Sequence, residues 1–159
     1  RFGSSIGESA KKEASTLISR EMKKGIDNGN AVLYKGALDT LETLKARGYA
    51  LVFISNCKNY YMHAHTEQFG LDRYFDAMVC SQTYEGIERK ADVLSEIKKD
   101  FPGPMVIVGD RHHDMEAGRE NDMITIGSTY GFAKKGELDE ADHLIDDIKE
   151  LQSLFSSRE

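Results

Sequence analysis

The sequence predicts an α/β protein in which a parallel sheet is covered by helices on both faces, and three observations carry that expectation. From Gly36 onward, short apolar runs alternate about four times with longer amphipathic segments, the order that a parallel sheet with helical crossovers requires. The apolar runs are continuous rather than alternating, as in Ala50-Leu51-Val52-Phe53-Ile54 and Met105-Val106-Ile107-Val108, which suits strands buried on both sides. Each of these two runs also stops abruptly, at Ser55-Asn56 and at Gly109-Asp110, residue types that end strands and open turns.

Taken in order, the first thirty residues read as helical around Lys11 to Lys24 and turn-rich over Gly25 to Asn30, a substructure distinct from the remainder of the chain. Leu38, Leu41 and Leu44 form an apolar stripe that predicts a helix over Leu38 to Arg47, with Gly48 as its stop. A strand over Ala50 to Ile54, a polar helix through Tyr60 to Gln68 and a strand over Phe75 to Cys80 come next. A loop containing Gly86 leads to a helix over Ala91 to Lys99, with Leu94 and Ile97 three apart. Pro102 and Pro104 break that helix ahead of the strand Met105 to Val108. A short helix over Asp114 to Glu120, a strand over Met123 to Ile126, a short last strand at His143 to Ile145 and a helix capped by Asp146 or Asp147 complete the reading.

Composition narrows the function classes. A chain of 159 residues with 40% hydrophobic residues supports one ordinary core. A net charge of −6 with Lys and Arg scattered among acids lacks the clustered basic face that nucleic acid requires. Only Cys57 and Cys80 are present and no signal-like segment is seen, so a reduced, cytoplasmic protein is expected. No apolar run approaches the ~20 residues of a membrane span. The chain opens at Arg1 in a polar, Gly/Ser-bearing stretch, which suggests a piece of a longer product. Oligomeric state is not legible.

In open parallel sheets, functional groups gather at the carboxyl ends of strands, where the following helices point their positive N-termini. Ser55 and Asp110 close two strands, and Lys90 begins a helix between them. Asp110 and Asp114 put two carboxylates four apart at a strand-to-helix junction, hard oxygen ligands of the kind that suits Mg²⁺. Against this stands the reading of Asp114 as a helix cap. The Ser55 hydroxyl and the Asn56 amide are able to bind phosphate oxygens, and Lys90 to neutralise a moving phosphoryl group. Serines at strand ends and solvated lysines are common, so the residues gain meaning only together. His112 and His113 read as a solvated turn with diverging side chains rather than a metal site. His63 and His65 fall on different helix faces. Gly131 to Gly136 resembles a phosphate loop, but Glu137 stands where Lys is required.

An apolar strand ending in Ser55, then Lys90 at 35 residues further, then Val108-Gly109-Asp110 at 20 further with Asp114 four later, resembles the second, third and fourth motifs of the haloacid dehalogenase superfamily. Tyr34-Lys35-Gly36, Leu44-Lys45-Ala46-Arg47-Gly48, Tyr74-Phe75-Asp76 and Thr129-Tyr130-Gly131 extend the likeness to its phosphoglycolate phosphatase-like and β-phosphoglucomutase-like branch. The resemblance implies a Rossmann-like three-layer α/β/α core with a partial helical cap at residues 1–30 and the core at residues 31–159. It implies phosphate binding by Ser55, Asn56 and Lys90, with Lys90 also catalytic, and Mg²⁺ bound at Asp110 with Asp114 orienting its ligands or waters. The substrate would be a small phosphorylated metabolite. Ala91 replaces the proline usual after the lysine.

The family's first motif, Asp-x-Asp-x-Thr on a central strand, is absent from this sequence. Asp39-Thr40 lies inside a helix, and the acids from Asp139 to Asp147 are too polar for that strand. The expectation is therefore a core lacking its first strand, inactive by itself, with two inner sheet edges unpaired. An apolar strand ending in Asp-x-Asp is expected in roughly the 40–70 residues before Arg1. The function implied is a Mg²⁺-dependent phosphatase using an aspartyl-phosphate. A phosphomutase, or a non-catalytic relative that binds phosphate or a protein, is the alternative.

Overall fold

The computed structural model describes residues 7–155 apart from Ser81, Gln82, Glu85 and Glu88. The start of the expected cap segment, residues 1–6, lies outside them. The described chain runs α1 (Glu8–Asp27), α2 (Ala37–Ala46), β1 (Val52–Ser55), α3 (Asn59–Phe69), β2 (Ala77–Cys80), α4 (Lys90–Asp100), β3 (Val106–Gly109), α5 (His112–Glu120), β4 (Ile124–Ser128), β5 (His143–Ile145) and α6 (Leu151–Leu154). All strand pairings are parallel, and they form two sheets, β1 with β2 and β3-β4-β5.

Helices cover both faces, which makes the α/β/α layering. On one side Val93, Leu94 and Ile97 of α4 and Ala117 of α5 pack with Val79 and Ile107. On the other, Leu44 of α2 and Leu151 of α6 pack with Ile126 and Ile145. Opposite-facing neighbours such as Val106 and Ile107 serve the two cores separately, as the two-residue strand period demands.

Between the sheets runs an apolar cleft of about 420 Å³, with Ala50, Leu51, Val52 and Ile54 on one wall and Met105 to Val108 on the other. It accounts for a departure from expectation. β1 is half-buried along its whole length rather than enclosed, and Val108 is 41% exposed, because no described strand covers the flanks that face the cleft.

Other elements shift modestly. α1 continues through Gly25 and Ile26 instead of stopping at a turn, and Ile26 is its one buried residue. α2 buries Thr40 and Leu44 rather than the full leucine stripe. α5 starts at His112, so the two histidines form its first turn and their rings lie 3.7 Å apart instead of diverging. Asp147 caps a short 3-10 turn, Ile148–Glu150, that leads into α6. No described helix is long and apolar enough to cross a membrane.

Candidate functional site

Lys90 and Asp114 form the site's firmest contact. Lys90 is the first residue of α4, and its Nζ donates to Asp114 Oδ1 at 2.5 Å, the two side chains being 12% and 9% exposed. Asp114 Oδ2 accepts the Arg111 N–H at 3.1 Å, closing the start of α5 as an N-terminal acid does. Asp114 thus makes the helix-cap contact with one oxygen and the contact with Lys90 with the other. Gly109 makes room for it, because a Cβ there would lie 2.3 Å from the Asp114 Cβ.

Both neighbours of Lys90 are also tied to α5. Arg89 pairs with Glu120 at 2.6 Å, and the buried Asn121 donates from Nδ2 to the Ala91 carbonyl at 2.9 Å. The start of α4 is thus fixed without a proline.

Asp110 follows β3 and is held from the other side by the loop after β4. The Phe132 N–H donates to Asp110 Oδ2 at 2.7 Å. Gly131 lies so close that a Cβ would sit 2.3 Å from the Asp110 Cβ. Arg111 reaches into the same loop, donating to Glu137 from Nε at 2.8 Å and from Nη2 at 3.2 Å. That guanidinium holds the Glu137 carboxyl at a pKa of about 2, well below its ordinary value.

Ser55 ends β1 in register with Cys80 of β2. Its Oγ accepts the Cys57 N–H at 3.2 Å, which leaves the hydroxyl proton able to donate elsewhere. Asn56 is exposed in the turn after the strand. The structure therefore brings Lys90 against Asp114 and braces Asp110 beside them in sequence. Ser55 and Asn56 belong to the other sheet, and Ile54 and Val108, one residue before Ser55 and Gly109, line the two walls of the same cleft.

Asn121, Phe132, Arg111 and Glu137 were not among the residues expected at the site. Phe132 contributes a backbone amide, which no residue type signals, and Glu137 stands 26 residues from its partner. The Glu at the false phosphate loop was the available hint.

The family model for haloacid dehalogenase-like hydrolases matches residues 2–128. The chain belongs to that family. Among curated relatives of this haloacid dehalogenase-like chain, the phosphoglycolate phosphatase of Haemophilus influenzae is 29% identical over 128 residues, covering 77% of this chain and 57% of that protein. The phosphoglycolate phosphatase of Agrobacterium fabrum is 31% identical over 129 residues, covering 77% and 54%. The chain thus spans little more than half the length of these relatives. A crystal structure described as a predicted phosphoglycolate phosphatase from Haemophilus somnus superposes with a TM-score of 0.84 at 23% identity, covering 94% of this chain and 68% of that one. That likeness establishes the haloacid dehalogenase-like fold.

Proposed function

We propose that the whole protein is a Mg²⁺-dependent phosphatase of small phosphorylated metabolites, cytoplasmic, working through an aspartyl-phosphate whose nucleophile is carried by a segment outside this chain. The observation that carries the reading is the nearly enclosed Lys90–Asp114 pair at the starts of α4 and α5, with Asp110 directly after β3. Phosphoryl transfer needs little covalent chemistry from a protein and much fixed charge, because negative charge spreads over the equatorial oxygens. Lys90, held by Asp114, offers a positioned cation for those oxygens. Ser55 offers a hydroxyl whose orientation is set by the Cys57 amide, and Asn56 its backbone N–H.

The donor set suits Mg²⁺ in part. One oxygen of Asp110 accepts from Phe132, and the other accepts no hydrogen bond among the described residues. Asp110 is therefore the direct ligand. Both oxygens of Asp114 are engaged by Lys90 and Arg111, so Asp114 acts through water or by positioning Lys90. Among the described residues no group of three metal-ligating side chains exists, so a cation held by Asp110 would draw its remaining ligands from water and substrate phosphate. When bound, Mg²⁺ would neutralise charge on the transferring group.

In this reading residues 1–30 belong to a cap and residues 31–159 to the core. α1 packs on α3 at the Ser55 end of the site, with Lys58 donating to Ser15 at 3.2 Å. The cleft is the place for a further strand, since it is lined on both walls by apolar strand residues. The test is phosphate release from simple monoesters by the full-length protein, with and without Mg²⁺. Activity that depends on Mg²⁺ and is lost in Lys90→Ala supports the reading, and absence of turnover on a broad panel overturns it in favour of a non-catalytic phosphate-binding relative.

A further inference from the structure

We infer that Glu137 is a positioning residue for Asp110, acting through Arg111 to keep the loop after β4 closed on the Asp110 carboxylate. The inference rests on the reading of Asp110 as the Mg²⁺ ligand.

Two consecutive residues after β3 are gripped by two points of one loop. Asp110 takes the Phe132 amide at 2.7 Å, and Arg111 takes the Glu137 carboxylate through two nitrogens, at 2.8 and 3.2 Å. The contacts close a small ring, Asp110–Arg111 on one side and Phe132–Glu137 on the other. The Glu137 side chain is only 15% exposed, and the two-point geometry is the stronger form of this ion pair. Phe132 does not hold the loop by its own side chain, being 80% exposed, whereas Leu138 beyond Glu137 is buried. Between these two points, Lys134, Lys135 and Gly136 are exposed. Glu137, paired with Arg111 and 3.7 Å from His112 Nδ1, thus joins the loop's buried far end to the segment that carries Asp110.

The chemical consequence is selection of one oxygen. With the Phe132 N–H committed to Oδ2, Asp110 presents Oδ1 alone in a fixed direction, as a cation with strict geometry requires. If the pair is broken, Tyr130 is still held by Tyr34, but the loop beyond it loses its tie to Arg111, which loosens the hold of the Phe132 amide on the carboxylate.

The experiment uses the full-length protein and compares wild type with Glu137→Gln, Arg111→Lys and the charge-swapped Arg111→Glu/Glu137→Arg. Hydrogen exchange at the Phe132 amide, measured without metal, reads the clamp itself. Mg²⁺ titration calorimetry reads its effect on Asp110, and far-ultraviolet circular dichroism confirms that each variant is folded. Expected are at least about tenfold faster exchange at Phe132 and about tenfold weaker Mg²⁺ binding in Glu137→Gln. The swapped pair recovers most of both losses. Unchanged Phe132 exchange, or unchanged Mg²⁺ affinity with faster exchange, overturns the positioning role. If Glu137→Gln does not fold, Arg111→Lys and the swapped pair decide by the same readouts. A wild-type protein that protects Phe132 but binds no Mg²⁺ overturns the metal reading of Asp110, and with it the positioning role, while leaving the closed loop in place.

Discussion

Lys90 and Asp114 are almost enclosed, so removing one partner leaves a desolvated charge. In Lys90→Met, Asp114 would remain in place without its cation, at a cost of about 3–5 kcal/mol. Urea unfolding checks this. The Lys90→Met/Asp114→Leu double variant should recover much of that stability, since an apolar pair is often as good as a buried ionic one. Activity should stay down in both variants by at least about 10²-fold, the usual scale for a lost charge-stabilising donor. A loss below about 1 kcal/mol in the single variant would contradict the buried-pair account. Gly131→Ala places a Cβ against Asp110 and should cost about 1–3 kcal/mol, as overpacking does, read by thermal melting. At this scale the sequence was informative where residue type and chain position coincide. Ser55 and Asp110 punctuate apolar runs, and Lys90 and Asp114 stand at helix starts. Asn121 and Phe132 left no such trace, and Glu137 only that of a misfit in a false phosphate loop, because each acts on a residue 22 to 30 positions away, one of them through backbone alone.

Among the elements, β2 and α2 are joined through Asp76, which accepts from Lys45 and from the Leu51 N–H, both at 2.7 Å. The Lys45 hydrogen bond, aided by the Leu51 amide, holds the Asp76 carboxyl below its ordinary 3.8. A carboxyl whose folded pKa is depressed contributes its full stability above the unfolded value and loses it as pH falls through the folded one. Asp76→Asn should therefore lower the melting temperature at pH 7, and the gap from wild type should narrow as pH is taken below about 4. A gap that stays constant from about pH 7 to about pH 3 would contradict this account. Element identity was legible from periodicity, but boundaries and coverage were less so. The His112–His113 pair looked like a turn because helix propensity is low there, whereas the Arg111–Asp114 cap draws both into α5. β1 looked fully covered because its composition is that of a buried strand, and composition does not reveal that the neighbouring place lies open.

For the whole molecule, the parallel sheet flanked by helices followed from alternation, and the haloacid dehalogenase-like family, with its three-layer core, from the order and spacing of four side chains. The division into two sheets is a property of the described strands, with the apolar cleft between them. Substrate choice had no signal in the sequence, and the curated relatives extend well beyond this chain. If the cleft takes a strand in the full-length protein, the amides of β1 and β3 that do not bond to β2 or β4 should exchange much more slowly there than in residues 1–159 alone. Equal exchange would argue against a strand in that place. The most direct test of the central claim is release of inorganic phosphate from small phosphate monoesters by the full-length protein and its Asp110→Asn variant. The account predicts turnover that stops on chelation, returns with added Mg²⁺ and falls by at least about 10²-fold in the variant. Turnover that survives both chelation and the substitution would contradict it.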